Sequence, residues 1–313
     1  MKTIQLNQID TDMNTIPPPF NAEQALVAIE LGATDDAILH YLEFLTTEIP
    51  IKATYFLHVL PTLDNFYNIL KEEGTSLTSN YELNSEVIEQ LRMKIKHRIK
   101  KSQVNFDVRQ GDPLEELLKD AEEMDADLIV IGQLSGAVEH GILARNLVRK
   151  AECNTLVIPE FSKPSLRKIL VPVDFSSNSG RALETALAIA EQLKEPAEII
   201  CANVYEMPSI AAYRIRKTTE ELSRIIEEDR MELLRDFINT HADAAQASAV
   251  KTVVLEKGIG SISSHLLDYA DENDVDLIVI GNKGHSKVEL LLLGSVTESL
   301  LAYNERIPTL VIK

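Results

Sequence analysis

The sequence has few of the features that mark secreted, disulfide-bonded or membrane-spanning proteins. Among its 313 residues are only two cysteines, Cys153 and Cys201, which lie far apart in the chain. This favours two packed thiols in a reducing compartment over a disulfide. No apolar run reaches the ~18 residues that a membrane-spanning helix needs. The N-terminus also lacks the apolar core of a signal peptide, so we expect a cytoplasmic protein.

Positive charge is scarce as well. Against 49 acidic residues there are 31 lysines and arginines, which gives a formal net charge of −18. A surface of this sign repels nucleic acid and anionic membranes, so neither is expected as a partner. The richest basic run, Arg92–Lys101, has apolar residues at helical spacing. We interpret it as the solvated face of an amphipathic helix, with a binding patch as the alternative.

The motifs of several enzyme classes are missing. The sequence has no GxxxxGK[ST] loop, which argues against Walker-type motors and kinases. It has no GxSxG elbow and no cysteine–histidine signature, so nucleophilic hydrolysis has no candidate machinery. The seven histidines show no metal-ligand spacing. We therefore predict no catalytic residue and no structural metal site.

What the sequence does contain is a repeat. Asp125–Gly132 (DADLIVIG) and Asp274–Gly281 (DVDLIVIG) differ at one position, and Thr155–Ile158 and Thr309–Ile312 both read TLVI. In each copy, short apolar strands alternate with helical patterns, which predicts two α/β domains with parallel sheets. The predicted divisions are an arm at residues 1–22, domains at residues 23–160 and 168–313, and a polar linker at residues 161–167. The predicted helices include about Asn84–Lys101, Gly141–Ala151 and about Ile210–Ala242.

A glycine-lined loop follows the LIVIG strand of the second copy. Gly281 is followed by two residues and Gly284, then by nine residues and the pair Gly294-Ser295, where a helical pattern begins. Glycine lets a backbone come close to a ligand, and a helix N-terminus favours an anion, so this loop predicts a phosphate site. The alternative is that these glycines only form turns. The basic residues of the loop either offset phosphate charge or are simply solvated: Lys283, His285 and Lys287.

The corresponding loop of the first copy is shorter. Between Gly132 and Gly141 there are eight residues, where the second copy has twelve between Gly281 and Gly294. Ser135 stands in place of the second glycine, and Ile142 stands in place of the serine. We predict that this loop does not bind nucleotide.

The pattern G-x2-G-x9-G-S after LIVIG, together with ILVPVDFS at Ile169–Ser176, resembles the universal stress protein family. The resemblance covers nearly the whole chain apart from residues 1–22, and it is to a tandem member with one nucleotide-binding and one degenerate domain. It implies two tandem doubly wound parallel sheets, each five-stranded with order 3-2-1-4-5 and flanked by helices, of the adenine nucleotide alpha-hydrolase-like class. In such a fold, ATP binds where the strand order reverses.

The resemblance also implies the binding residues. Nine positions would contact the nucleotide: Pro172, Val173, Asp174, Val204, Gly281, Gly284, Gly294, Ser295 and Val296. The first three border the adenosine, Val204 packs on adenine, the next two glycines approach ribose and phosphates, and the last three face the outer phosphates. An alternative role for Asp174 is to cap the next helix. In the first domain, Glu30 and Val59 stand at the places of Asp174 and Val204.

The implied function is that of an ATP-binding, nucleotide-responsive regulatory protein in the stress response. ATP would occupy the C-terminal domain only, with Mg²⁺ or Mn²⁺ on its phosphates as an option. The domains would pair within the chain through their final strands, and two chains could pair as a homodimer. Two alternatives stay open: a nucleotide-independent dimerisation scaffold, and a slow ATPase or self-phosphorylating protein with Ser295 as the nearest hydroxyl.

Overall fold

The computed structural model describes residues 20, 22–60, 80–95, 98–136, 138–208, 218–284 and 293–313. Most of the predicted arm at residues 1–22 lies outside these ranges, as do His285 and Lys287 of the second glycine loop. Within the ranges that are described, no helix is both long and apolar enough to cross a membrane.

The first half of the chain contains five strands and four helices among its described residues. In chain order they are β1 (Gln24–Ala28), α1 (Asp35–Glu48), β2 (Ala53–Leu60), α2 (Asn80–Ile95), β3 (Gln103–Gln110), α3 (Pro113–Glu123), β4 (Leu128–Gln133), α4 (Val138–Lys150) and β5 (Asn154–Pro159). No helix or strand is assigned between Pro159 and Lys168.

The second half repeats this order with one additional short helix. Its elements are β6 (Lys168–Pro172), α5 (Ser177–Gln192), β7 (Glu198–Glu206), α6 (Thr219–His241), α7 (Ala244–Ala249), β8 (Lys251–Lys257), α8 (Ile262–Glu272), β9 (Leu277–Gly281), α9 (Ser295–Tyr303) and β10 (Thr309–Ile312). The sequence did not predict α7, which begins at an Asp243 cap whose carboxylate accepts hydrogen bonds from two backbone N–H groups.

The ten strands form one continuous sheet of order β3-β2-β1-β4-β5-β10-β9-β6-β7-β8. Each half reads 3-2-1-4-5 and is parallel throughout, so the predicted class and strand order are confirmed. The two predicted sheets are joined, however, because β5 and β10 pair antiparallel, with Leu310 opposite Leu156. The predicted pairing through the final strands is therefore confirmed, and it covers two apolar edges that would otherwise invite aggregation.

Helices cover both faces of the sheet. In β9, Leu277 and Val279 join the core beneath α1, α2, α5 and α6, while Ile278 and Ile280 join the core beneath α3, α4, α8 and α9. Strands buried on both faces read as continuous apolar runs, which explains the LIVI sequences.

Three predicted helices differ from the structure. Helix α4 begins at Val138, three residues before the predicted start at Gly141. Helix α2 ends at Ile95, so the prediction that it continues to Lys101 is wrong. Part of the basic run is paired rather than solvated: Lys94 Nζ lies 2.9 Å from the buried Asp35 carboxylate, and Arg98 contacts Asp36 at 3.5 Å. Helix α6 begins at Thr219, where Thr218 and Glu221 form a capping box. Residues 209–217, which were predicted to belong to it, lie outside the described residues.

Candidate functional site

A cavity of about 280 Å³ opens at the carboxyl ends of β6, β7 and β9. Here β6 pairs with β7 on one side and with β9 on the other, so the strand order reverses at this point. This volume is close to the lower end of the ~300–1,000 Å³ typical of small-molecule sites. All nine positions predicted from the sequence lie on its wall: Pro172, Val173, Asp174, Val204, Gly281, Gly284, Gly294, Ser295 and Val296.

One wall of the cavity is apolar. Val204 from β7 and Val296 from α9 share it with Ile262 and Leu266 from α8. Sequence reasoning missed the two α8 residues, because apolar side chains at i and i+4 on a helix are usually core residues. Leu266 is buried and Ile262 is partly exposed, so the wall extends from the core to the mouth of the cavity. It offers a flat heterocycle an apolar surface.

Glycine is required at positions 281 and 284 because neighbouring atoms lie too close for a side chain. A Cβ on Gly281 would lie 2.8 Å from Asn178 Cβ and 3.0 Å from the Asn178 backbone. A Cβ on Gly284 would lie 2.5 Å from Asp174 Oδ2. A side chain at either position would therefore displace α5 or the Asp174 carboxylate.

The N-terminus of α9 faces the same cavity and has no side-chain cap. Its cap residue is Gly294, whose N–H donates to Asn282 O at 2.8 Å. Thr297 Oγ1 donates to Gly281 O at 2.9 Å, which ties the first turn of α9 to the end of β9. The first N–H groups of a helix have no intrahelical acceptor, so Ser295 and Val296 present donors suited to an anion.

Asp174 lies on the cavity wall beside Gly284. Its Oδ1 accepts hydrogen bonds from Ser176 N at 3.1 Å and from Ser176 Oγ at 2.6 Å. The cap of α5 is Ser176, whose Oγ accepts from Ser179 N, so the alternative role of Asp174 as that cap is wrong. Phe175 has a φ of +65°, which is uncommon outside glycine. Its ring lies 5.8 Å from that of Phe237, edge to face, and this contact supports the turn.

The corresponding loop of the first domain borders a cavity of about 560 Å³ that α9 also lines, and it contacts other parts of the protein. Ser135 N donates to Glu160 Oε2 at 3.5 Å, and Ser135 Oγ donates to Glu305 O at 3.4 Å. Gln133 Nε2 donates to Leu301 O at 2.7 Å, at the last turn of α9. The Glu160 carboxylate thus accepts from a backbone amide of this loop. The side chains of Gln133 and Ser135 bind the second domain.

No metal centre is apparent in the part of the chain that the structure describes. None of the His, Cys, Asp and Glu side chains there form a group of three or more that could hold an ion. The thiol of Cys201, on β7, has its pKa raised to about 12 by burial. That cysteine is therefore a packed, unreactive side chain.

Known single-domain proteins each match about half of the chain. A universal stress protein of Methanocaldococcus jannaschii is 30% identical over 149 residues, which are 47% of this chain and 82% of that protein. The universal stress protein YxiE of Bacillus subtilis is 27% identical over 135 residues, which are 42% of this chain and 90% of that protein. Both matches span about half of this chain, as expected for single-domain relatives of a tandem protein.

A solved structure matches the whole arrangement. The crystal structure of a universal stress protein from Archaeoglobus fulgidus superposes with a TM-score of 0.62, covering 94% of this chain and 97% of that one. Its sequence identity is 20%, so this likeness supports the fold alone. The universal stress protein family profile matches residues 22–159 and again residues 165–313. The chain therefore belongs to the universal stress protein family, with two copies of the family's domain in tandem.

Proposed function

We propose that this protein binds ATP in its second domain only and acts as a nucleotide-responsive regulatory protein. The observation that carries the proposal is the convergence of the nine predicted positions on one cavity, with an uncapped helix N-terminus at one end. In this arrangement the apolar wall of Val204 and Leu266 takes the base, and Asp174 lies beside the ribose. The N–H groups of Ser295 and Val296 take the outer phosphates.

The same cavity favours binding over hydrolysis. Asp174 is the only carboxylate among the described residues that line it, and its Oδ1 already accepts two hydrogen bonds from Ser176. A base that activates water must lie within hydrogen-bond reach of it. Any Mg²⁺ or Mn²⁺ would be held mainly by phosphate oxygens and water, as is usual for these cations.

The proposal that ATP binds only in the second domain rests on the loop between Gly132 and Gly141 in the first. The Glu160 carboxylate at Ser135 N would repel a phosphate, and the eight-residue loop is too short to surround one. The first domain then serves as a structural partner through β5 and α4. Bound nucleotide would change the surface at α9 and Gly284. A partner protein would recognise this changed surface.

Three measurements test this proposal. Mass spectrometry of small molecules released on denaturing the purified protein is expected to find an adenine nucleotide. Calorimetric titration of the stripped protein with ATP is expected to give one site per chain. Binding of no nucleotide would leave the scaffold interpretation, and two sites per chain would contradict the restriction to the second domain. Prolonged incubation with labelled ATP is expected to show no turnover, whereas turnover lost in Ser295→Ala would favour the ATPase.

A further inference from the structure

The last turn of α4, in the first domain, lies against the first turn of α9 in the second. Arg149 Nη2 is 3.0 Å from Glu298 Oε1, and this ion pair crosses the domain interface. Glu298 N donates to Gly294 O at 2.8 Å, so Glu298 lies one helical turn from the proposed phosphate end. A guanidinium from the first domain is therefore held at the first turn of α9, next to the residues that line the cavity of the second domain but not on its wall.

The backbone of this turn is also tied to the glycine loop. Lys313 Nζ donates to Val148 O at 2.5 Å and to Arg149 O at 3.4 Å. The preceding residue, Ile312, accepts a hydrogen bond from Asn282 N at 2.9 Å. The start of the loop and the backbone of Arg149 are thus fixed to two adjacent residues at the end of β10.

Positive charge gathers at this edge of an otherwise acidic protein. We call Arg149, Lys283 and Lys313 the basic rim. Burial lowers the pKa of Lys313 to about 8; among the weaker charge effects, Cys153 and Glu152 raise this pKa and Lys283 lowers it. Cations that repel one another in this way would be stabilised by an anion placed among them.

The first loop has an arginine of its own domain beside it. Arg145 of α4 lines the same cavity as Ser135, and its Nη1 would lie 3.1 Å from a Cβ on Gly141. Counted from Gly141 and Gly294, the position of Arg149 corresponds to Ala302, so no arginine extends from α9 towards the first loop. An arginine of the other domain therefore lies near the helix after the glycine loop in the second domain only.

We infer that Arg149 binds the outer phosphates of a nucleotide held by the second domain, and that it makes this site prefer triphosphates to monophosphates. The inference rests on the proposed function. Of its donors, Nη2 pairs with Glu298, Nη1 bonds Asn146 Oδ1 at 3.3 Å, and the buried Nε has no partner among the described residues. A guanidinium has five N–H donors, and its planar fork suits phosphate oxygens. A monophosphate ends near the ribose, so it would not use this contact.

Titration of ATP and AMP into the whole protein tests the inference. Arg149→Ala is expected to weaken ATP binding roughly tenfold to thirtyfold and AMP binding less than about twofold, since charged hydrogen bonds are lost only with ATP. The matched control is Lys150→Ala, which removes the same charge from the adjacent, exposed position. It is expected to leave both affinities within about twofold. Arg149→Lys keeps the charge without the fork and should lie between wild type and Arg149→Ala.

The outcomes separate this inference from the proposed function. Binding of neither nucleotide by the wild type would overturn the proposed function, and this inference with it. Wild-type binding of ATP that Arg149→Ala leaves unchanged, or equal losses for ATP and AMP, would overturn only the role of Arg149. Should Arg149→Ala not fold, Glu298→Gln keeps the test decisive. It frees Arg149 from its counter-ion and is expected to tighten ATP binding about threefold, and an unchanged or weaker ATP affinity would count against the inference.

Discussion

The two domains share a sheet order and differ at one loop, and the glycines that they keep are informative. Gly132 and Gly281 stand at the same place, and a Cβ on either would overlap the start of the first helix of its domain, at Thr34 Cβ (2.7 Å) or Asn178 Cβ (2.8 Å). This glycine serves packing and is present in both copies. Gly284, which lies beside Asp174 in the cavity, is replaced by Ser135 in the first copy. Packing and binding requirements can therefore be separated residue by residue.

The second difference is in the groups that contact the loop after β4 in the first domain and after β9 in the second. In the second domain, the end of α9 that faces the cavity has no side-chain cap. In the first domain, Glu160 and the backbone of Glu305 hold Ser135. The loop that lacks a second glycine has become part of the interface between the domains.

The largest expected effect on ATP affinity comes from a substitution at the start of α9. Gly294→Asp places a carboxylate among the N–H groups of α9 and should lower ATP affinity about 100-fold or more, which corresponds to the loss of about 3 kcal/mol of charged hydrogen bonds. Aspartate is a good cap, so folding should be retained. The control is Gly141→Asp, which adds the same charge at the aligned glycine, the fourth residue of α4, and should leave ATP affinity unchanged by calorimetry. Equal losses in both variants would contradict the assignment of ATP to the second domain.

The packing glycines should instead behave alike. Gly132→Ala and Gly281→Ala each force a methyl group against the neighbouring helix, and each is expected to lower the free energy of unfolding by about 1–3 kcal/mol. Urea denaturation followed by circular dichroism measures this. A large loss for Gly281→Ala with none for Gly132→Ala would mean that the two loops do not share this packing role.

Asp174 and Glu30 stand at corresponding positions of the two domains, and only Asp174 is expected to contact a ribose. Asp174→Asn keeps an oxygen that can accept from Ser176 but removes the negative charge, so ATP and AMP should both bind about tenfold more weakly, a loss of about 1.5 kcal/mol. Glu30→Gln makes the equivalent change in the first domain and should alter neither affinity. If Glu30→Gln weakens binding as much as Asp174→Asn, the first domain also holds nucleotide.

The smallest effect is expected from Glu160→Gln. Removing this charge relieves the repulsion at Ser135, but the loop stays four residues shorter than its counterpart. ATP stoichiometry should remain one per chain and affinity should change by less than about twofold, as for other partly exposed charges. A second site appearing in this variant would show that charge, and not loop length, keeps the first domain empty.

Much of this arrangement could be predicted from the sequence, because it is encoded locally. The repeated LIVIG strands and the glycine spacing predicted two parallel α/β domains and a phosphate loop in the second. The family resemblance supplied the strand order within each half and the nine positions that line the cavity. Other features could not be predicted because they depend on residues distant in sequence. Ile262 and Leu266 read as ordinary core residues, and Glu160 read as the end of the first domain. Arg149 reaches the second domain only because β5 pairs with β10. The end of α2 was missed because pairing of Lys94 and Arg98 with α1 is a tertiary contact.

The antiparallel pairing of β5 with β10 has a consequence for how such a protein could arise and be divided. It sets the carboxyl edge of each half-sheet beside the amino edge of the other. The segment that enters β5 is thereby a neighbour of the glycine loop that follows β9. A second domain produced alone would expose β10 and is expected to associate with its own copy about a twofold axis. Such a dimer would carry Ala302 where the fused chain carries Arg149, so only the fused chain places an arginine of one half against α9 of the other.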